Sequence, residues 1–206
     1  MRDYIELSRK HFNKQAREYD ENTSLYYSGY AKISCEDVKA YLKENEYNKL
    51  LDIGCGTGWL IDNLSKEHNA NHFGLDISEN MLEQAKSKNI ENATFVLGSS
   101  LEPPYEDESF DVVTCIQSFH HYPDSKKAMQ EAYRVLKKGG IYILSDTGMG
   151  GITAWLGNNI FYKFLNSGDF EVDTKEGISR KMQAVGFSVI RSEKIGKFIY
   201  TVVGRK

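Results

Sequence analysis

Apolar and polar positions change rhythm near residue 49. Before it, apolar side chains recur at helical spacing. Phe12, Ala16 and Tyr19 fall at i, i+4 and i+7, and Val38, Tyr41 and Leu42 at i, i+3 and i+4. Residues 1–45 therefore read as a helical cap, with Tyr26, Tyr27 and Tyr30 between the two periodic stretches. These aromatics either pack on the core or line a lid. After residue 49, short apolar runs alternate with helical patterns. Lys49–Ile53, Asn71–Asp76, Ala93–Leu97, Phe110–Ile116 and Ile141–Ser145 read as strands. Helices are expected through Leu60, Ile61 and Leu64, over Ser78–Lys88 with Ser78 as N-cap, and over Ser125–Leu136. Lys137-Lys138-Gly139-Gly140 reads as the stop of the last of these.

Repeated βα units imply a parallel sheet with helices on both faces. The run Asp111–Ile116 lacks strict alternation, as expected of a central strand buried on both sides. The rhythm breaks at the end. Asp173–Val185 reads as a helix stopped by Gly186, and Phe187–Ser192 and Lys197–Val203 as strands flanking Gly196, which predicts an antiparallel hairpin. The expected fold is thus α/β: a Rossmann-like, mostly parallel seven-stranded sheet with an antiparallel C-terminal hairpin and an N-terminal helical cap. Trp155, Leu156, Ile160, Phe161, Phe164 and Leu165 suggest an apolar helix or lid, with Gly148, Gly150 and Gly151 as hinge candidates. The expected organisation is one domain over 1–206, with a cap at 1–45, a core at 46–206 and a lid-like insertion at 147–172.

The chain's 206 residues suit one domain. Hydrophobic residues are 40% and charged residues 27%, a globular rather than disordered balance. The net charge of −3 speaks against a nucleic-acid partner, which calls for a basic excess. Cys35, Cys55 and Cys115 are odd in number and form no CxxC, so neither a disulfide framework nor a zinc knuckle is indicated, and a cytoplasmic location is expected. The charged start Met1-Arg2-Asp3 is unlike a signal peptide, and no run approaches a membrane span.

The most informative stretch is Leu50-Leu51-Asp52-Ile53-Gly54-Cys55-Gly56-Thr57-Gly58, a strand entering a helix through a glycine turn. In an open α/β sheet, ligands bind beyond the carboxyl ends of the strands. A dinucleotide loop needs GxGxxG, but the sixth position here is Trp59, and no Gly-Lys-Ser/Thr follows to make a phosphate loop. Asp76 ends the next strand 22 residues after Gly54, where a carboxylate can accept from both hydroxyls of a ribose.

These segments resemble the class I S-adenosylmethionine-dependent methyltransferases, in particular the small-molecule enzymes of ubiquinone and menaquinone biosynthesis. The resemblance rests on Phe12-Asn13 with Tyr19-Asp20, on Asp52–Gly58, on Gly74-Leu75-Asp76-Ile77-Ser78 with Met81-Leu82 and Ala85, and on residues 131–140, all in the family's order. It implies S-adenosylmethionine as cofactor. Gly54, Gly56 and Gly58 would let the backbone approach its methionine portion, and Asp52 would hold the ammonium through water. Asp76 would bind the ribose, and Ile77 and Met81 would pack on the adenine. Ser99, Ser100 and Leu101 would meet the adenine edge; the family has Asp where Ser99 stands, so a weaker affinity is expected. Gln117 would contact the cofactor's amino-acid end.

Past the fourth strand, His120 and His121 are candidate bases, and with Tyr19 they are expected at the acceptor pocket, Asp146 being a lesser candidate. No metal site is expected, because adjacent histidines point in different directions. The expected reaction is methyl transfer to a small-molecule acceptor by direct in-line displacement. The alternatives are a non-catalytic cofactor-binding protein of the same fold, or another nucleoside-using α/β enzyme, against which Trp59 speaks.

Overall fold

In the computed structural model the described residues are 3–20, 29–149, 158 and 168–206. Two cap helices, α1 (Tyr4–Gln15) and α2 (Tyr30–Lys43), precede a βα array. It runs β1 (Lys49–Ile53), α3 (Trp59–Leu64), β2 (Asn71–Asp76), α4 (Glu79–Ser87), β3 (Ala93–Leu97), β4 (Phe110–Ile116), a 3-10 turn (Phe119–His121), α5 (Ser125–Val135) and β5 (Leu136–Thr147). Helix α6 (Lys175–Val185) and the strands β6 (Ser188–Lys194) and β7 (Ile199–Arg205) complete it. The sheet order is β3-β2-β1-β4-β5-β7-β6. The first five strands pair in parallel. Strand β7 lies antiparallel between β5 and β6. The expected seven-stranded architecture is therefore present, including its hairpin.

The period-2 alternation of each strand divides the core in two. Leu51, Val113, Leu144 and Val202 point to the face covered by α5 and α6, where they meet Met129, Ala132, Ile178 and Met182. Leu50, Val112, Ile143 and Val203 point to the other face, against Val38 and Leu42 of α2 and Leu60 and Leu64 of α3. A central strand with apolar residues on both faces cannot alternate, which explains the pattern of β4.

Several boundaries depart from expectation. Helix α5 ends at Val135, and Leu136 is already extended and paired with Phe110. The Lys-Lys-Gly-Gly run is thus no helix stop. It is an irregularity in β5, since the next register pair is Val112 with Ile141. The Asp111 carboxylate holds it by accepting from Lys137 Nζ at 2.7 Å and from the backbone N–H groups of Asn48 and Lys49. Helix α6 starts two residues late because Thr174, not a residue further upstream, supplies the N-cap. The hairpin strands begin and end one or two residues later than expected.

Among the contacts that fasten helix α1 to the core, those of Asn13 reach the first turn of α4. Asn13 Oδ1 accepts from Ser78 Oγ at 2.6 Å and from the Asn80 backbone N–H. The Asn13 amide donates to Glu79 at 3.1 Å, and its carbonyl accepts from the Asn80 side chain at 2.8 Å. Ser78 is also the N-cap of α4, accepting from Met81 N–H. Tyr26 and Tyr27, and the apolar residues from Trp155 to Leu165, lie outside the described residues. Among the described residues, no helix is long and apolar enough to cross a membrane.

Candidate active site

The chain reverses direction across the sheet between β1 and β4, and the crevice at their carboxyl ends is where such sheets bind ligands. A cavity opens there. It is walled by the glycine turn after β1, the ends of β2 and β4, and the cap helices. Asp52, Gly54, Gly56, Asp76, Ile77, Met81, Ser99, Ser100, Leu101 and Gln117 all line it, as do Tyr19 and His121. Gly58 and His120 do not.

The three glycines, expected to share one task, have three. All have φ between 53° and 76°, the left-handed region that L side chains avoid. A Cβ on Gly54 would overlap Ser118 Oγ and lie 2.6 Å from Ser118 Cβ, so this glycine lets β1 and the end of β4 close together. A Cβ on Gly58 would meet Phe95 and Ala85 at 3.0–3.1 Å, so Gly58 permits packing on β3 and α4 rather than approach to a ligand. Only Gly56 has nothing within 4 Å of its missing Cβ while facing the cavity.

Asp76 knits the turn to α4. Its Oδ2 accepts from the Gly56 N–H at 2.8 Å and its Oδ1 from the Ser78 N–H at 2.9 Å. Burial raises its pKa, and the backbone N–H groups pull it back. Asp52 is 3% exposed and accepts from Thr114 Oγ1 at 2.7 Å. Burial pushes its carboxyl up to about 7; the Thr114 hydroxyl opposes this, and the Asp76 charge adds to it. An exposed aspartate titrates near 3.9. The native state therefore holds a proton on Asp52 between about pH 4 and 7 that the unfolded chain has lost. This group's stabilisation is full below that window and is lost as pH rises through 7. Urea unfolding of the wild type should show stability falling across that range, and Asp52→Asn should flatten the fall. Parallel pH curves would contradict this account.

Gln117 has φ +48°, rare outside glycine, and is held from both sides. Its Oε1 accepts from Thr147 Oγ1 at 2.7 Å and its Nε2 donates to Ser34 Oγ at 3.0 Å. Ser99 Oγ accepts from the Leu101 N–H at 3.1 Å, closing a tight turn at the cavity edge.

The two histidines separate in role. His121 lines the cavity and packs edge-on to Phe12 with centroids 5.0 Å apart, and Phe12 in turn meets Tyr19. His120 turns back to Asp146, with Nδ1 2.6 Å from Oδ1. Burial opposes protonation of His120, but Asp146 and Asp169 outweigh it, and its pKa is raised. For His121, burial and then the charge of His120 lower it. The stronger base is thus the one that does not face the cavity. The expectation that the rings diverge is also corrected: their centroids are 4.1 Å apart, and Asp169 lies 3.6 Å from a nitrogen of each.

Sequence reasoning missed Ser34, Thr114, Ser118 and Asp169, single polar residues without a local motif. Asp20 lies in one of the matched segments, but nothing in its local sequence indicates its partners. Asp20 accepts from Thr57 Oγ1 in the glycine turn and pairs with Lys88 at 2.7 Å.

Residues 51–144 match the Methyltransferase domain family. The demethylmenaquinone methyltransferase of Staphylococcus aureus is 30% identical, over 87% of this chain and 84% of its own length. Among solved structures, a SAM-dependent methyltransferase from Thermotoga maritima superposes with TM-score 0.72 at 22% identity, covering 96% of this chain and 99% of its own. DhpI in complex with SAH superposes with TM-score 0.76 at 17% identity, covering 98% and 96%. The glycine turn, the Asp76 carboxylate at the end of β2 and this relationship agree. The chain belongs to the class I S-adenosylmethionine-dependent methyltransferases, of the ubiquinone and menaquinone biosynthesis type.

Proposed function

We propose that this enzyme methylates a small, apolar, aromatic acceptor, a class that includes the quinol rings implied by the name of its Staphylococcus relative. One observation carries the reading: a single cavity joins the Asp76–Gly56 end to an aromatic end walled by Phe12, Tyr19 and His121.

The cofactor end fits the group it must hold. A carboxylate offers about four acceptor positions, and backbone N–H groups take two at Asp76, leaving two for a ribose's two hydroxyls. The bare face of Gly56 admits close approach of the methionine portion, with Asp52 beneath to attract its ammonium. Ile77 and Met81 offer an apolar wall to the adenine. Ser99 and its neighbours Ser100 and Leu101 border the adenine edge, and Gln117 the amino-acid end. When bound, S-adenosylmethionine supplies a methyl group already activated by a positive sulfur.

The protein's remaining task is alignment and exclusion of water, and alignment alone is worth roughly 7–11 kcal/mol of barrier. Tyr19 and His121 orient the acceptor for in-line displacement. His120, set back and held by Asp146, positions the His121 ring. Helix α1 closes the acceptor end, to which it contributes Ile5, Ser8 and Phe12. The three cysteines are free and buried, in keeping with a cytoplasmic location.

Release of S-adenosylhomocysteine, screened over small aromatic and quinol acceptors, tests the proposal. His121→Ala and Tyr19→Phe should each lower turnover at least ~10-fold, as misplaced reactants do, while calorimetric cofactor binding persists. Cofactor binding without release on any acceptor would favour a non-catalytic binding protein instead.

A further inference from the structure

We propose that His120, His121 and Asp169 form a binding site for a divalent transition-metal cation in the wall of the acceptor end. One donor atom from each residue lies within 4.8 Å of the other two. His120 Nε2 and His121 Nδ1 are each 3.6 Å from the same oxygen, Asp169 Oδ1. That is too long for a hydrogen bond. It is only about 0.2–0.3 Å longer than the edge of a tetrahedron whose centre is ~2.0–2.1 Å from each ligand atom, a gap that a small side-chain adjustment closes.

Three further observations point to an occupant. First, His120 is oriented as a metal ligand is. Its Nδ1 faces Asp146 Oδ1 at 2.6 Å, which places the proton there and leaves the Nε2 lone pair toward Asp169. Asp146 is itself fixed, accepting from the backbone N–H groups of His120 at 3.0 Å and Thr147 at 2.6 Å. Second, His121 Nδ1 is buried, in a side chain only 10% exposed, and has no hydrogen-bond partner among the described residues. Leaving such an atom unsatisfied is costly, and a cation in the gap satisfies it. A proton on His120 Nε2 would pair with Asp169 but would leave His121 Nδ1 unmet. Third, the third ligand is brought in by the backbone. The His120 carbonyl accepts from the N–H groups of Phe170 at 2.9 Å and Glu171 at 3.1 Å, which holds the Asp169 segment against the histidines.

Two imidazole nitrogens and one carboxylate oxygen suit Zn²⁺, Fe²⁺, Co²⁺ or Mn²⁺ rather than Mg²⁺ or Ca²⁺, which prefer all-oxygen shells. Three protein ligands leave at least one position open. Because His121 lines the cavity, an acceptor oxygen can take that position; this consequence alone rests on the proposed methyl transfer.

The test uses the full chain, stripped with a chelator and titrated with Zn²⁺ against a competing chelator, without any acceptor. One equivalent should bind. Co²⁺ should give visible absorption bands without the thiolate charge-transfer band that the cysteines would produce. Asp169→Asn, His121→Ala and His120→Ala should each weaken binding at least ~10-fold, and Asp146→Asn, acting through His120, by ~10–100-fold. Asp169→Asn lies outside the cofactor end and should bind S-adenosylhomocysteine as the wild type does, which separates loss of metal from loss of fold. No uptake of Zn²⁺, or uptake unchanged in Asp169→Asn and His121→Ala, overturns the site. Neither outcome bears on methyl transfer, which the release assay reads separately.

Discussion

Asp76→Ala should weaken S-adenosylmethionine binding by ~100-fold or more, the largest single-residue effect expected on ligand affinity. The carboxylate does two things at once. In the proposed function it presents acceptors to the cofactor's ribose, and in the structure it holds the Gly56 and Ser78 N–H groups that shape the turn and start α4. A hydrogen bond to a charged group contributes about 1.5–3 kcal/mol, and an N–H stripped of its acceptor costs about 1–3 kcal/mol more. Together these come to about 2.5–6 kcal/mol, or roughly two to four decades of affinity. Asp76→Asn keeps one acceptor oxygen, so it should fall between alanine and wild type. Calorimetry with S-adenosylhomocysteine measures all three. An alanine variant within ~3-fold of the wild type would mean that the carboxylate does not touch the ligand.

The second large effect concerns stability. Gly54→Ala should lower the unfolding midpoint by roughly 5–15 °C. The left-handed conformation costs an alanine ~1–2 kcal/mol. The new Cβ also collides with Ser118, where overpacking adds ~1–3 kcal/mol. In a chain of this size each kcal/mol shifts the midpoint by about 2–4 °C. Gly56→Ala carries the conformational cost alone, since open space surrounds its Cβ, and should fall by less. Pairing Gly54→Ala with Ser118→Gly removes the collision and should recover part of the loss. Equal midpoints for the Gly54 and Gly56 variants would contradict the assignment of Gly54 to strand closure. Thermal unfolding followed by circular dichroism distinguishes these outcomes.

The strands were legible in the sequence because each is a short apolar run bounded by turn residues. Such runs survive in either direction of the sheet. The Asp76 position was legible because the length of one βα unit fixes how far a second strand end lies from a first. Ser78 was legible because capping is decided within one turn of helix. What escaped is decided at long range. Nothing local to Leu136 shows that it pairs with Phe110, so the end of α5 was placed too late. The three glycines look alike in sequence, and only their neighbours Ser118, Phe95 and open space give each its task. The histidine pair is adjacent on the chain, but its meaning depends on Asp146 and Asp169, which come from a strand end and from a loop beyond it. Their separation along the chain hides that proximity.

Asn13 ties helix α1 to the first turn of α4, where Ser78, Glu79 and Asn80 share it. Lifting the cap therefore strips partners from the same turn that carries Met81 and follows Ile77. Movement of α1 and the order of that turn are thus linked through Asn13. A nucleoside seated on Ile77 and Met81, as the proposed function has it, would steady the helix above it as well as the turn beneath.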